Sequence, residues 1–556
     1  MLRLTDIKLP LDHPESALAE AVLARLGIGA GDLTAVHVAK RSYDARRRGA
    51  IVLIYTLDVE TPREPELRQR LAMDGDGDAA APALHKVAPT PDTSYRFVAR
   101  APARLPSRPL VIGMGPCGLF AGLLLAQMGF APIILERGKA VRERTVDTFG
   151  LWRRKVLDPE SNVQFGEGGA GTFSDGKLYS QISDRHHHGR KVLTEFVAAG
   201  APEEILYVSK PHIGTFRLVA MVERMRAQIQ ALGGEIRFSS RVDDLLVDTD
   251  AAGVRHVRGV TLADGGQLRA DHVVLALGHS ARDTFAMLHA RGVFVEAKPF
   301  SIGFRIEHPQ SLVDQARFGP QAGHPLLGAA DYKLVHHCRN GRSVYSFCMC
   351  PGGTVVAAAS EPGRVVTNGM SQYSRNERNA NAAIVCGITP EDFAPHGDGP
   401  LAGIALQRHW EALAFAAGGG DYCAPAQLVG DFLANRASTG FGAVQPSYTP
   451  GVRLGNLDAA LPRYAVDAIR EALPAFERQL RGFAMHDAVL TGVETRTSSP
   501  LRIVRGDDGH SVNTRGLFPA GEGAGYAGGI LSAGVDGIRA AEAVATSMLA
   551  AAAARA

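Results

Sequence analysis

Short apolar runs alternate with stretches of helical periodicity along this chain, and glycines sit at the joints between them. The clearest unit opens at Pro109–Met114 (PLVIGM), a β-branched run of the length of a buried strand. An apolar stretch at about Leu119–Met128 predicts a helix, Gly129 ends it, and Ala131–Leu135 (APIIL) predicts a second buried strand. Phe216–Leu232 carries apolar residues at helical spacing, Gly233-Gly234 stops it, and Glu235–Val242 (EIRFSSRV) reads as a strand. Val257–Leu262 and Gln267–Ala270 flank Asp264-Gly265-Gly266 as a hairpin. Asp271–Gly278 (DHVVLALG) is another buried strand, and Ile530–Leu549 is a C-terminal helix.

Residues 1–105 read as a separate α+β unit. It has strands at Arg3–Lys8, Ala35–Arg41 and Ala50–Val59 and a helix at Pro14–Arg25. From Asp74-Gly75-Asp76-Gly77-Asp78 through Pro91 the chain is rich in Ala, Pro and Gly and is expected to be a mobile excursion. Its Asp-Gly alternation lacks the closing Glu of a calcium loop. Between about Val293 and residue 488 lie strand-like segments (Phe300–Glu307, Ser343–Met349, Gly353–Ala358) and helical patterns (Ala405–Phe415, Tyr464–Gly482). The expected organisation is α/β: 1–105 as the N-terminal α+β domain, 106–290 and 490–556 as a discontinuous Rossmann-like domain, and 291–489 as an inserted α+β substrate domain.

The first strand runs into Gly113-Met114-Gly115-Pro116-Cys117-Gly118, a full G-x-G-x-x-G, and Glu136 closes the second strand. In a dinucleotide fingerprint Gly113 allows the turn, Gly115 lets the backbone approach a pyrophosphate, and Gly118 lets helix and strand pack closely. The helix N-terminus offers donors to phosphates, and Glu136 would accept hydrogen bonds from ribose hydroxyls. A NAD or an FAD would fit this half equally.

Composition narrows the classes. Length suggests three or four structural units at roughly 150 residues each. Of 556 residues, 46% are hydrophobic and 21% charged, which excludes global disorder. There are 60 Lys plus Arg against 57 Asp plus Glu, a balance that speaks against DNA, RNA or a membrane surface as partner. The six cysteines form no disulfide framework and no zinc quartet, so no metal is expected. Met1–Leu9 lacks an apolar signal core, giving a cytoplasmic expectation. Val111–Leu135 is uncharged and long enough to span a bilayer, but its ordered glycines favour strand, turn, helix and strand.

Resemblance carries the reading further. Gly516-Leu517-Phe518-Pro519-Ala520-Gly521-Glu522 resembles the second flavin motif of two-dinucleotide-fold flavoproteins, with Glu522 in place of the usual Asp. Three further motifs accompany the fingerprint with Glu136-Arg137-Gly138: Asn162–Leu178 (NVQFGEGGAGTFSDGKL), Phe347–Gly353 (FCMCPGG) and Glu494–Pro500 (ETRTSSP). Together they resemble a bacterial family of uncharacterised FAD-dependent dehydrogenases, from about residue 1 to the C-terminus. The resemblance implies a glutathione-reductase-type FAD domain, non-covalent FAD, and a small-molecule substrate that the family does not name. It implies an adenine contact at Val242, a close approach of the dinucleotide at Gly278, and ribityl or pyrophosphate contact at Glu522. Arg137, Gly168, Gly169, Gly171, Thr172, Gly521, Gly528, Gly529 and Ile530 complete the expected FAD-binding set with Gly113, Gly115, Pro116, Cys117, Gly118 and Glu136. No G-x-G-x-x-G unit marks a dedicated nicotinamide domain, so NAD(P)H, if it reduces the flavin, would dock transiently in the substrate pocket.

Three residues are candidates for catalysis. Lys177 would stabilise anionic reduced flavin, or is a solvated loop lysine. Cys348 and Cys350 form a C-x-C on a strand, where both thiols face one side. They could relay electrons from the flavin to a thiol partner, or be two buried structural cysteines. His186-His187-His188 reads as a solvated loop, and His212 and His279 as structural. Arg375 could bind an anion, and Thr497-Ser498-Ser499 with Arg496 and Arg502 should lie near the flavin. Two other functions stay open: an RNA-modifying flavoenzyme gripping RNA with Arg46-Arg47-Arg48, and a flavin redox sensor without turnover.

Overall fold

The computed structural model describes residues 1–73, 86–105, 107–180 and 182–555. The Asp74–Asp78 run therefore lies outside the described residues.

Five short strands form a fully parallel sheet in the order Leu517–Pro519, Val273–Leu275, Leu110–Ile112, Ile133–Leu135, Glu235–Arg237. The three central strands are apolar and almost wholly buried, as a sheet covered on both faces requires. Helix Pro116–Gln127 returns the chain from the third strand to the fourth, and every side chain from Cys117 to Ala126 is buried. The C-terminal helix Ile530–Arg555 lies directly on it: a Cβ at Gly537 would stand 2.2 Å from the Cys117 carbonyl oxygen. The expected strand Glu235–Val242 is two elements. The parallel strand stops at Arg237, Ser239 takes φ +51°, and Val242–Thr249 begins a separate three-stranded antiparallel sheet with Arg255–Leu262 and Gln267–Arg269. A parallel edge strand that must join an antiparallel layer needs such a break.

The second body is a seven-stranded sheet ordered Val335–His337, Ser343–Cys350, Asn379–Ile388, Phe300–Pro309, Val489–Glu494, Ala424–Leu428, Val452–Leu454. Phe300–Pro309 pairs along its full length with Asn379–Ile388. The strand Val489–Glu494, which straddles the expected boundary at 489/490, pairs within this sheet. Helix Arg463–Gln479 packs one face with Val466, Ile469, Leu473 and Phe476. The chain re-enters the first body through Leu501–Ile503, paired with Val295–Ala297.

The N-terminal sheet is antiparallel, ordered Ala35–Asp44, Val52–Glu60, Leu2–Pro10, Val87–Pro89. It touches both other bodies. The Arg41 amide donates to Tyr207 O at 2.7 Å, and Tyr43 meets Phe318 edge to face at 5.6 Å. Among the described residues no helix is long and apolar enough to cross a membrane.

Candidate functional site

The G-x-G-x-x-G turn sits at the carboxyl end of the central strand, where open parallel sheets bind ligands. Gly113 has φ +98°, and a Cβ at Gly118 would lie 1.9 Å from the Gly113 carbonyl oxygen, so neither tolerates a side chain. The second glycine run closes on the first. Gly168 N donates to Met114 O at 2.8 Å, and a Cβ at Gly169 would approach the Gly115 Cα to 2.8 Å. Gly171 faces Ile530, whose Cγ1 would be 2.9 Å from an added Cβ, and Gly521 faces Cys117. The fold thus brings residues 113–118, 168–172, 521–522 and 528–530 together from far-apart stretches of chain.

Several features of this region fit a dinucleotide. Helix Pro116–Gln127 starts at Gly115 with no side-chain cap, which leaves first-turn donors for an anion. Gly278, Gly528 and Gly529 are exposed, and an added Cβ at each meets nothing within 4 Å. The buried Thr172 hydroxyl has no hydrogen-bond partner. The glycine surface is open where a ligand would lie and closed where the chain packs on itself.

Glu136 is buried and takes three main-chain hydrogen bonds, from Met114 at 2.8 Å and from Gly138 and Gly166 at 2.9 Å. These fill three of a carboxylate's roughly four acceptor sites, so its main work is to lock the two glycine turns together. Arg137 is likewise committed, to Glu160 and Asp283, and stacks over Phe165 at 4.1 Å. Beside them is a cavity of ≈ 200 Å³ whose lining includes Arg137, Gly138, Glu160, Ser161, Ser239 and Arg241. Val242 is buried in the core with Leu245 and Val257, next to this cavity in sequence but outside its lining.

The sequence reading missed Arg144. Its guanidinium is fully buried and donates to the carbonyls of Asn162, Val163 and Glu167 at 2.7–2.8 Å, fixing the loop that carries Gly166–Gly171. Burial pushes it down to about 10.

Lys177 ends the glycine loop and points at the seven-stranded sheet, where its ammonium contacts the Met349 carbonyl. Asp175, 3.8 Å from that ammonium, is held by Arg375 through a bond of 2.9 Å from Nε and a second contact from Nη2. Arg375 therefore clamps the glycine loop and is not free to bind another anion. The strand carrying Cys348 and Cys350 is not regular. Cys348 takes φ +44°, and the pairing with Asn379–Ile388 shifts between Phe347 and Cys350. The expectation of two thiols side by side on a flat strand gives way to a bulge. Its local geometry brings the buried Cys350 Sγ to 3.4 Å from Cys348 O.

Buried Arg305 donates to that same carbonyl at 2.8 Å and to both oxygens of Glu494 at 3.1 Å. The hydrogen bond from Cys350, opposed by burial and helped by Lys177 and Arg305, holds the partly exposed Cys348 thiol well below its ordinary range. The same bond and burial push Cys350 well up. Burial raises Glu494 to about 7 against the attraction of Arg305. Burial also raises Glu522 to about 7, with Lys298 and Cys348 as its charged neighbours. Burial lowers Lys298, whose charged neighbours are Arg502 and Glu522. Lys177 thus reaches the bulge that carries Cys348, and Glu522 has Cys348 as a charged neighbour. The convergence of Arg305, Glu494 and Lys298 there was not foreseen.

The remaining candidates have ordinary partners. Thr497 bonds the Ser301 main chain at both ends, and Ser499 donates to Gly523 O at 3.0 Å. Arg496 and Arg282 converge on fully buried Glu411 at 2.6–3.0 Å. His279 beside them is pushed down to about 3 by burial and the two arginines. His212 bonds Tyr373 O, and His188 pairs with Glu542 at 3.3 Å. Among the described residues, the one group of side chains close enough to share an ion is His336, Cys338 and Glu471. There the Cys338 thiol donates to Ala468 O and Glu471 holds Arg339.

Comparison with known proteins points to FAD-dependent proteins. A family model described as FAD-dependent protein, C-terminal domain-like, matches residues 299–497, the region of the seven-stranded sheet. A domain of unknown function matches residues 1–60. An uncharacterized protein of Clostridium beijerinckii is 44% identical over 543 residues, 97% of this chain and 98% of that one. Among solved structures, a flavoprotein/dehydrogenase from Cytophaga hutchinsonii is 10% identical over 80% of this chain and 79% of its own, with a TM-score of 0.33. The L-amino acid deaminase from Proteus vulgaris is 11% identical over 81% and 96%, with a TM-score of 0.35. Likenesses at these scores carry no argument.

Proposed function

The chain belongs to a family of FAD-dependent flavoproteins, and from that premise we propose a glutathione-reductase-type oxidoreductase that transfers a hydride between the N5 of a non-covalent FAD and a substrate. The observation that carries the reading is the closure of the glycine run 168–171 on the G-x-G-x-x-G turn, with Lys177 at the end of that loop reaching the Met349 carbonyl beside Cys348.

Gly113, Gly115, Pro116, Cys117 and Gly118 would hold the pyrophosphate at the helix N-terminus, with Gly168, Gly169, Gly171 and Thr172 closing over it. The cavity beside Arg137 would take the adenosine end, with Val242 and Gly278 along the path. Gly521, Glu522, Gly528, Gly529 and Ile530 would hold the flavin end. Bound there, FAD supplies a two-electron centre whose potential the surrounding charges set. Lys177 keeps its ammonium charged, since Cys350, Cys348 and Asp175 outweigh its desolvation, and so places a positive charge at this end of the site. Glu522, with a pKa near neutrality, holds or releases a proton on its carboxyl oxygens at working pH. Arg305, itself held by Glu494, fixes the Cys348 carbonyl.

NAD(P)H is the proposed donor and would dock transiently against the inserted sheet. An anaerobic visible spectrum of the purified protein, recorded before and after NADPH or NADH, tests the reading. A bound-flavin spectrum that bleaches on addition supports a nicotinamide-driven reductase. A protein that neither carries FAD nor can be reconstituted with it overturns the proposal. The RNA-linked reading gains little support from the basic tip: Arg46 is paired with Asp44, and Arg48 lies beside Gly319.

A further inference from the structure

A regular strand sets residues i and i+2 about 6.6 Å apart at Cα, near the upper limit for a disulfide. The bulge at Cys348 departs from that spacing. With Cys348 in the left-handed region, the Cys350 thiol turns back and donates to the Cys348 carbonyl oxygen at 3.4 Å, and each thiol shifts the titration of the other. A non-glycine residue with φ +44° is held there only because the surroundings impose it: Arg305 grips the Cys348 carbonyl and Lys177 the Met349 carbonyl. One thiol is partly exposed and the other fully buried. That is the arrangement of an attacking thiol with a protected second thiol behind it.

We propose that Cys348 and Cys350 form a two-electron thiol–disulfide couple, and that the electron-accepting substrate at this site is a small organic disulfide. The Cys348 thiolate attacks one sulfur of the disulfide RS–SR. A Cys348–SR bond forms, the RS–SR bond breaks, and RS⁻ leaves. The Cys350 thiol gives its proton to that departing thiolate and its sulfur attacks Cys348. The Cys348–Cys350 bond forms and the second RS⁻ is expelled. The cysteine pair is oxidised by two electrons, and the disulfide becomes one thiol and one thiolate. The reductant class that restores the dithiol is a reduced flavin. The inference rests on the oxidoreductase reading for that return of electrons, but not for the exchange itself.

The groups facing Cys348 are Cys350 on its own strand, Lys177 and Asp175 from the glycine loop, Arg305 and Glu494 from the sheet, and Glu522 from the flavin-end motif. Two cations, Lys177 and Arg305, oppose three acids, and both cations act on the thiol more strongly than Asp175 does.

The test uses the FAD-loaded protein, reduced, desalted anaerobically and mixed with oxidised glutathione, followed by peptide mass mapping and a count of released thiol. Wild type is expected to show a Cys348–Cys350 disulfide and two glutathione thiols released per chain. Cys350→Ser, with Cys350→Ala as its duplicate, is expected to stop with glutathione on Cys348 and one thiol released. Cys348→Ser is expected to leave Cys350 unmodified. Iodoacetamide should alkylate Cys348 at a rate that changes less than about twofold from about pH 6 to about pH 8, whereas an ordinary thiol accelerates about tenfold per pH unit below its pKa. A wild type that keeps a stable glutathione adduct, or whose Cys348 stays free while other cysteines react, overturns the couple. The flavin spectrum of the same samples is the independent readout. Absence of flavin overturns the oxidoreductase reading while leaving the exchange result standing.

Discussion

Placing one methyl group at Gly278 separates a glycine kept open for a ligand from one kept for the fold. Gly278 follows the buried strand Val273–Leu275, is exposed, and an added Cβ meets nothing within 4 Å. In the apoprotein Gly278→Ala should change stability by no more than about 0.5–1 kcal/mol, in the stabilising direction, because the unfolded chain loses freedom. If FAD fills that space, the methyl overlaps it. Overpacking costs about 1–3 kcal/mol, or a weakening of FAD binding by about 5- to 150-fold. Gly118→Ala is the contrasting change. Its Cβ would lie 1.9 Å from the Gly113 oxygen and 2.9 Å from the Gly113 carbon, both main chain, so the helix must leave the strand. Stability and flavin should be lost together. The assay is titration of each apoprotein with FAD, followed by flavin fluorescence, beside urea unfolding of the same samples. Gly278→Ala binding FAD as tightly as wild type refutes the path drawn here. Gly278→Ala unfolding like Gly118→Ala refutes the openness of the position.

Glu411→Ala should cost about 3–5 kcal/mol in urea unfolding, because it strands the buried guanidiniums of Arg282 and Arg496. Arg375→Ala should leave buried Asp175 with only the Lys177 ammonium at 3.8 Å and release the glycine loop, so flavin affinity falls along with stability, read by FAD titration. Glu522 and Glu494 are raised from 4.5 to about 7, so the folded state keeps protons that the unfolded chain releases. Their contribution to stability is therefore lost as pH rises from about 4.5 to about 7. His279 and His308, held neutral with pKa values of about 3 and about 4, push the opposite way over an overlapping window. The test is a difference: the urea midpoint of Glu522→Gln minus wild type should rise with pH across that window, and a flat difference would sink the assignment.

The glycine turn at Gly113–Gly118 is legible in the sequence because most of what it needs is local. Strand, glycines, helix and Glu136 fall within a short run, and the roles of Gly113 and Gly118 follow from contacts inside that run or with the end of one neighbouring strand, whereas Gly115 meets the distant Gly169. Arg144 could not be found this way. It lies in an ordinary-looking helix, VRERTVDTFGLWRR, and nothing local tells it from the exposed arginines around it. Only the return of residues 162–167 surrounds it with carbonyls. Arg305 had a usable signal. In Phe300–Pro309 (FSIGFRIEHP), Arg305, Glu307 and His308 interrupt an otherwise apolar run, and a charge on a fully buried strand must meet a partner on a neighbouring strand. The partner, Glu494, lies 189 residues away, and only the register names it. The bulge at Cys348 belongs to the same class. A bulge is a mismatch between two strands, so its position depends on Asn379–Ile388 as much as on Ser343–Cys350. The spacing C-x-C therefore picks out the two thiols but not the bulge that holds them. The register shift is what turns the Cys350 sulfur back to the Cys348 carbonyl oxygen, and neither strand alone encodes it.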